Sequence, residues 1–293
     1  MTRTEPPKIK HFNSVEAAKI LGVNVSTIKR WTESGELSCL RTPGGHRKFL
    51  PEHLSEFMEQ HRRKKARVPL LPIEKSDDVE LTAKIFSDDT AYLQQQILEQ
   101  AKLGAIERVL FILSGMISIP KPLHEIYDHL ITPVLHRLGE LWENEKLSIV
   151  EEHLASQTIR LALDRLQALI TIPREKIGTA LCMNLSNELH DIPLQMVGHI
   201  LEKRGYRVLF SGQMTPFMGL EDVFNKVKVD RIYISSTVIP DAVSARQEFR
   251  QVFELAGANG IPVFIGGRGL DQVKLDLPEW VTRLFTFEEV AKS

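Results

Sequence analysis

The amino-acid sequence predicts a multidomain chain with a small basic α-helical head, a helical bundle and an α/β domain built on a parallel sheet. Three observations predict this fold class. At 293 residues, the chain has about twice the usual length of a single domain. Residues 1–67 carry 14 Lys and Arg against 7 Asp and Glu, a net charge of +7, whereas the remaining residues carry 23 against 31, a net charge of −8. Helical patterning prevails over residues 88–172, and strand-like and helix-like segments alternate after Pro173.

The composition excludes several classes of protein. No apolar run approaches the roughly 20 residues that a membrane-spanning helix needs. The first residues also lack the apolar segment of a secretion signal. We therefore expect a cytoplasmic protein without a membrane partner. Only Cys39 and Cys182 are present, which excludes a disulfide framework and a metal sensor built on paired cysteines.

The basic head begins with two short helix-like segments that are separated by a short turn. The first segment follows a cap at Asn13 or Ser14, and the second follows a cap at Asn24 or Ser26 and stops at Gly35. This arrangement is typical of the helix-turn-helix that binds DNA. The side chains of the second helix predicted to face a major groove are those of Ser26, Thr27, Lys29 and Arg30.

The rest of the head predicts a β-hairpin. Two strand-like arms surround Pro43-Gly44-Gly45, which supplies turn geometry, so we interpret the hairpin as a wing. Basic side chains that contact phosphates release condensed counterions and so favour binding to DNA. The wing residues predicted to make such contacts are Arg41, His46, Arg47 and Lys48.

Three stretches of the head resemble the DNA-binding domain of the MerR family. They are Ser-Val-Glu-Ala-Ala-Lys at 14–19, Ser-Thr-Ile-Lys-Arg-Trp at 26–31 and Thr-Pro-Gly-Gly-His-Arg-Lys-Phe at 42–49. The resemblance implies a winged helix-turn-helix that binds a double-stranded DNA operator. Trp31 and Phe49 are core residues on any interpretation. Residues 68–87 follow the head, contain two prolines and show little periodicity, which predicts a linker that lets the head move.

Residues 88–172 predict a four-helix bundle. Ser148 and Glu151 have the spacing of a capping box, so a helix is expected to begin at Ile149, and Trp142 ends the helix before it. These elements place Trp142 and the pair Glu152-His153 at one end of a helical hairpin. A tryptophan that is separated by nine residues from a Glu-His pair resembles the signature of the helical cap domains of cobalamin-binding proteins.

Residues 173–293 predict a parallel sheet with helices on both faces. The expected strands are 178–184, 206–210, 231–235 and 262–265, and the expected helices are about 192–204, 216–227 and 242–258. Ligands bind such sheets at the carboxyl ends of the strands, near a topological switch point. A phosphoacceptor domain of the response-regulator type needs an Asp after the third strand, where this chain has Ser235-Ser236-Thr237. The residues at the strand ends that remain as candidates are Glu188, His190, Ser235, Thr237, Gly266 and Gly267.

The order Glu188-x-His190, a strand that ends in Ser235 and the pair Gly266-Gly267 resembles the flavodoxin-like cobalamin-binding domain. The resemblance implies that His190 is the lower axial ligand of cobalt and that Glu188 orients its other ring nitrogen. It assigns Ser235, Thr237, Gly266 and Gly267 to the slot for the nucleotide tail. Pro193 departs from the pattern because the family has glycine there. Proline is nevertheless tolerated in the first turn of a helix.

The order of the three domains resembles the CarH and CarA type of transcriptional repressor. In the light-responsive members of that type, adenosylcobalamin drives assembly of a DNA-binding tetramer and light dissolves it. The resemblance implies a homo-oligomer, dimer or tetramer, that binds adenosylcobalamin, or alternatively methylcobalamin. It places Trp142, Glu152 and His153 over the upper face. Glu143 stands where the light-responsive type has a second His.

Two alternatives remain open. The first is a regulator of the same architecture with a degenerate site, at Glu143 and Pro193, that works without cobalamin or light. The second is a corrinoid methyltransferase module. The chain has no second catalytic domain and carries a basic head, so we expect a regulator rather than an enzyme.

Overall fold

The computed structural model of the protein describes residues 11–21, 23–54, 56, 57 and 76–293. The chain divides into two compact units. The first contains the described residues up to Lys121 together with Pro133–Ala162, and the second contains Pro122–Thr132 and Leu163–Ser293. Among the described helices, none is both long and apolar enough to span a lipid bilayer.

The head contains the two predicted helices, α1 (Ser14–Ile20) and α2 (Val25–Glu33). The side chain of Asn13 accepts a hydrogen bond from the backbone N–H of Glu16, and the Glu16 carboxylate accepts one from the N–H of Asn13. This reciprocal pair is a capping box, which satisfies donors that the first turn leaves unpaired. Helix α2 begins after Asn24 and is followed by Gly35 in the left-handed region, as predicted.

The predicted wing is an antiparallel hairpin of β1 (Leu40–Arg41) and β2 (Arg47–Lys48). It packs beside a small apolar core to which both helices and the following helical residues 51–54, 56 and 57 contribute. Phe49 is buried in this core, and the ring of Trp31 lies 4.6 Å from that of Phe57, between centroids. The predicted core position of Phe49 is therefore confirmed, and Trp31 is partly buried and packs against this core.

The segment predicted as a linker is partly helical. Residues 68–75 lie outside the described part of the chain, but Ser76–Phe86 forms helix α3. Val79 is buried in the core of the head, and Ile85 packs against Gly115, where an added Cβ would lie 2.8 Å from its Cδ1. The prediction of an irregular linker is thus wrong for this helix. The helix forms because its apolar side chains are buried against other elements. The two prolines do not interrupt it, since both precede its first residue.

The helical region after α3 contains four further helical stretches, one of which includes a π-helical turn. They are α4 (Thr90–Lys102), α5 (Ile106–Ser118), the stretch made of α6 (Leu123–Ile126), the π-helix Tyr127–Ile131 and α7 (Thr132–Glu143), and α8 (Ile149–Gln167). The predicted capping box before α8 is confirmed, because the N–H of Ser148 donates to Glu151 Oε2 at 2.8 Å. This hydrogen bond also holds the pKa of the Glu151 carboxyl below its ordinary value.

The second unit is built on a five-stranded parallel sheet. Its strands are β3 (Gly178–Asn184), β4 (Tyr206–Gly212), β5 (Arg231–Ser235), β6 (Val263–Gly266) and β7 (Val281–Leu284). The spatial order is β4-β3-β5-β6-β7, which is the flavodoxin-like order with its switch point between β3 and β5. Its helices are α9 (Ile192–Arg204), α10 (Leu220–Lys226), α11 (Ala242–Ala258) and α12 (Phe287–Lys292), with a 3₁₀ turn at Arg268–Gln272.

Four of the five strands and three of the four helices were predicted. Strand β4 continues to Gly212, beyond its predicted end, and α10 begins at Leu220 rather than near 216. Strand β7 and helix α12 were not predicted. Strand β7 reads Val-Thr-Arg-Leu, without an apolar run such as that of β6, and α12 has only six residues, too few for a helical period to be clear.

A buried polar pair joins the π-helix to the α/β part of the second unit. The hydroxyl of Tyr127 lies 2.8 Å from Nδ1 of His199 in α9, and the ring of Phe287 packs edge-on against Tyr127. Burial raises the pKa of the Tyr127 hydroxyl and lowers the pKa of His199 from 6.5 to about 4. His199 is therefore neutral in the folded protein near pH 7. Sequence analysis had not singled out this pair.

We expect His199 to make the protein less stable at mildly acidic pH. Between pH 6.5 and about 4, the unfolded chain binds a proton at this residue and the folded chain does not. The free energy of unfolding should therefore fall by about 2 kcal/mol between pH 7 and pH 5 on account of His199 alone. Urea unfolding of the wild type and of His199→Asn at both pH values measures this difference. An equal fall in both proteins would contradict the assignment.

Candidate functional site

Glu188 is the buried centre of the carboxyl edge of the sheet. Its side chain is only 2% exposed and follows strand β3. Oε1 accepts a hydrogen bond from the N–H of His190 at 2.8 Å and lies 2.6 Å from His190 Nδ1. Oε2 accepts hydrogen bonds from the N–H groups of Thr237 and Val238, in the loop after β5. One carboxylate thus joins two loops across the topological switch point.

A third loop is attached to the same residue. The backbone carbonyl of Glu188 accepts a hydrogen bond from the N–H of Met214, in the loop after β4, at 3.0 Å. Met214 has a φ of +51°, which is uncommon for a residue other than glycine and often marks a functional segment. The sequence contains no signal that would have identified Met214.

His190 presents a fixed but accessible imidazole. Because a carboxylate only accepts hydrogen bonds, the ring donates to Glu188 from Nδ1, and this bond sets the orientation of the ring. The side chain is 51% exposed. On the three segments that Glu188 joins, the apolar side chains of Leu189, Met214 and Val238 are also exposed. The edge therefore combines one oriented imidazole with apolar surface that a large ligand can cover.

Gly266 ends strand β6 and Gly267 follows it, as predicted. The residue at position 267 must be glycine because of a contact with another part of the backbone. Gly267 has a φ of +108°, and a Cβ there would lie 2.1 Å from the carbonyl oxygen of Ser236. Ser236 is held in place because its N–H donates to the carbonyl of Gly266. Ser235 lies beside Gly266 in the sheet register and is buried. Close approach of backbone to backbone, rather than of a ligand, explains Gly267.

Pro193 lies in the first turn of α9, which begins directly after the loop that carries His190. Backbone N–H groups in the first turn have no partner within the helix, so a missing N–H there costs little. The expectation that Pro193 is compatible with the fold is confirmed.

Asn184 is a further polar residue at this edge that sequence analysis had missed. It ends strand β3, is fully buried and donates from Nδ2 to the carbonyl of His190 at 3.1 Å. Asn184 therefore holds the backbone of His190, while Glu188 holds its ring. A polar residue at the end of the apolar run 180–183 was the signal that could have identified it.

The candidates of the helical region lie within the first unit. Trp142, near the end of α7, is 46% exposed, and Glu143 next to it is exposed. In the first turns of α8, Nδ1 of His153 lies 2.7 Å from Glu152 Oε2, and the side chain of His153 is exposed. A five-residue connection separates the two helices, so Trp142 at the end of α7 and Glu152-His153 at the start of α8 lie on either side of that connection.

The DNA-binding candidates differ in exposure. Six of the eight are exposed on α2 and the wing, namely Ser26, Lys29, Arg30, Arg41, His46 and Lys48, and Thr27 is half-buried. Arg47 is different, because its side chain is only 15% exposed and its Nη2 lies 2.9 Å from Glu33 Oε1. Most of the predicted basic and polar side chains are thus exposed to solvent, whereas that of Arg47 forms an ion pair with Glu33 within the head.

The donor set at the sheet edge suits only a particular kind of metal. Within the part of the chain that the structure describes, no three His, Cys, Asp or Glu side chains come together as metal ligands. A lone imidazole does not hold a bare transition-metal ion, for which several protein ligands are usual. It does suit a metal that brings its own ligands and leaves an axial position, as a corrin does. The residues present therefore fit a corrinoid.

Comparison with known proteins agrees with this architecture. The family model described as "Helix-turn-helix domain" matches residues 12–62, and the model described as "B12 binding domain" matches residues 93–167. The second match covers the helical region that contains Trp142, Glu152 and His153. The chain thus joins a helix-turn-helix domain to a B12 binding domain, and the predicted multidomain fold class is confirmed.

Two curated relatives resemble the chain. It is 26% identical over 264 residues to the HTH-type transcriptional repressor CarH of Myxococcus xanthus, covering 86% of this chain and 87% of the relative. It is 29% identical over 144 residues to the HTH-type transcriptional repressor CarA of the same organism, covering 48% and 46%. The predicted resemblance to CarH and CarA is confirmed, and both relatives are described as repressors, in agreement with a regulator rather than an enzyme.

A solved structure has a similar fold over much of the chain. The monomethylamine corrinoid protein of Methanosarcina barkeri is similar with a TM-score of 0.55 and 14% identity, over 70% of this chain and 96% of that chain. At this identity, the similarity concerns the fold alone. It covers more of the chain than the sheet domain alone.

Proposed function

We propose that the protein is a DNA-binding transcriptional repressor whose oligomeric state and operator binding are controlled by adenosylcobalamin bound through His190. The observation that carries this proposal is the Glu188–His190 pair at the switch point, where a half-exposed imidazole is oriented by a buried carboxylate. Metal-ligating histidines typically donate their second ring N–H to such a partner. Light is the proposed release signal.

The chain contributes position and orientation to this site. Cobalamin would supply a cobalt ion, and His190 would be the residue of this chain that holds it. Glu188 and Asn184 hold His190 ready for that role. The resemblance assigns the nucleotide tail to Ser235, Thr237, Gly266 and Gly267, and the upper ligand to Trp142, Glu152 and His153. Methylcobalamin is the alternative cofactor.

DNA binding is assigned to the head. Helix α2 presents Ser26, Lys29 and Arg30 to solvent, in the position of a recognition helix. A dimer would place two such helices about one helical turn of DNA apart, at roughly 34–36 Å, so we expect an operator with paired half-sites. Assembly of dimers or tetramers would then raise affinity by linking heads.

The second candidate function is a regulator of the same architecture that works without cobalamin or light. Glu143 favours it, because a carboxylate is a poorer ligand for cobalt than the imidazole found there in the light-responsive type. Pro193 is the other departure from the family pattern.

One experiment separates the two candidates. The purified chain is incubated with adenosylcobalamin in darkness, desalted, and examined by visible spectroscopy and light scattering before and after illumination. A retained corrin and a molar mass that falls on illumination support the photoreceptor. A retained corrin without a mass change removes light from the proposal, and a colourless protein after desalting favours the second candidate.

His190→Ala is expected to weaken retention of adenosylcobalamin by about tenfold or more, because the axial nitrogen is lost. Equilibrium dialysis with detection at visible wavelengths measures the change. His129→Ala, which removes an exposed histidine from the same unit, is the control. Equal retention by the wild type and His190→Ala would exclude His190 as the ligand.

Arg30→Ala is expected to weaken binding to duplex DNA and to reduce the slope of log affinity against log salt concentration by about 0.9, because one phosphate contact is lost. Fluorescence anisotropy with a labelled duplex measures both quantities. Arg137→Ala removes an exposed arginine outside the head and should change neither. An unchanged affinity for Arg30→Ala would contradict the placement of α2 on DNA.

A further inference from the structure

Arg47 is held within the head in a way that its neighbours in the wing are not. Its Nη2 lies 2.9 Å from Oε1 of Glu33, in the last turn of α2. Its Nε is buried without a hydrogen-bond partner among the described residues. Arg41, His46 and Lys48 are all exposed. The guanidinium is therefore partly desolvated and points at α2.

The contact between Arg47 and Glu33 also offsets a pair of like charges in the hairpin. Arg41 and Arg47 are directly opposite in the antiparallel register, so both side chains lie on the same face. Like charges at opposite positions destabilise a hairpin. The carboxylate of Glu33 offsets one of the two charges and leaves Arg41 exposed.

The contact also joins the two parts of the head that bear the DNA-binding candidates. Glu33 belongs to α2, whose exposed side chains include Lys29 and Arg30, and Arg47 belongs to the wing. The hairpin strands are only two residues long, so their own hydrogen bonds restrict the wing weakly. The base of the wing is held by buried Phe49, which exchanges two backbone hydrogen bonds with Phe12, and the ion pair adds a direct contact between β2 and α2.

We propose that Arg47 is a positioning residue, which together with Glu33 sets the wing against the recognition helix and does not itself neutralise a phosphate. This inference rests on the proposed DNA binding and refines it. The exposed basic residues Arg41, His46 and Lys48 then remain as the candidates for phosphate contacts in the wing.

The test uses the full chain and a labelled 30-base-pair duplex of mixed sequence. Arg47→Ala should weaken binding about fivefold without changing the salt slope. Lys48→Ala, the matched control, should reduce that slope by about 0.9. Glu33→Gln should weaken binding to a similar extent, although it removes a negative charge that DNA would repel. The double variant should lose no more than either single variant.

Two outcomes would overturn the proposal. One is a salt slope for Arg47→Ala that falls as it does for Lys48→Ala. The other is an affinity of Glu33→Gln that is unchanged or higher. Because Glu33 is 64% exposed, this variant should fold, so it remains informative even if Arg47→Ala does not fold. If the wild type itself does not bind the duplex, the proposed function fails instead.

Discussion

Gly267→Ala is expected to lower the free energy of unfolding by about 4 kcal/mol, one of the two largest effects that we predict for a single substitution. The added Cβ would lie 2.1 Å from the carbonyl oxygen of Ser236 and 2.9 Å from its nitrogen. Both are backbone atoms, so no side chain can turn away. The conformation, with φ +108° and ψ 152°, also belongs to a region that is almost restricted to glycine.

Gly260→Ala is the matched control for this prediction. Gly260 also has a positive φ, +65°, but a Cβ there meets nothing within 4 Å. It should cost only about 1–2 kcal/mol, the penalty of the left-handed conformation. Urea unfolding of both variants measures the difference. Similar losses would mean that the contact with Ser236 relaxes easily, and the account given for Gly267 would be wrong.

Glu188→Gln is expected to cost about 3 kcal/mol of the free energy of unfolding and to weaken corrinoid retention. The glutamine amide has one acceptor oxygen, whereas the carboxylate serves donors on both oxygens. The new NH₂ group would therefore face N–H donors in a buried site. Because Glu188 joins the loops after β3, β4 and β5, those loops should lose their relative positions.

Glu248→Gln is the matched control, because it makes the same Glu-to-Gln change and removes the same charge at a less buried residue. Glu248 accepts hydrogen bonds from the N–H and hydroxyl of Ser186 at the same edge, but it is only partly buried. We expect a loss of about 1 kcal/mol or less. Chemical denaturation gives the stabilities, and equilibrium dialysis with adenosylcobalamin gives the retention. A tolerated Glu188→Gln alongside full retention would show that the carboxylate does not organise the site.

Much of the head could be predicted because its signals are local. Caps, turn residues and helical spacing act over fewer than ten residues, and each of them favoured the same element at the same place. The Pro43-Gly44-Gly45 turn is an example in the head, and the Ser148–Glu151 capping box is a similar local signal in the helical region. The strands β3 and β5 were predicted with correct bounds because each has an apolar run at its centre, residues 180–183 and 232–234, flanked by polar residues.

Helix α3 shows why local signals were insufficient elsewhere. Val79 and Ile85 bury their side chains only because α1 and α5 lie beside them. Tyr127 and His199 are 72 residues apart, and neither position indicates its partner in sequence. Both features depend on packing between distant segments, which periodicity does not encode.

The amino-acid sequence by itself determined the order of modules, the basic recognition helix with its wing, and the presence of Glu188 and His190 two residues apart after a parallel strand. Tertiary structure alone decided that Glu188 is buried, that it binds N–H groups about 50 residues further along the chain, and that Arg47 faces Glu33. The physical reason is that burial and ion pairing are set by which segments meet in space. A pattern of neighbouring residues specifies an element and one of its faces, but not what that face meets.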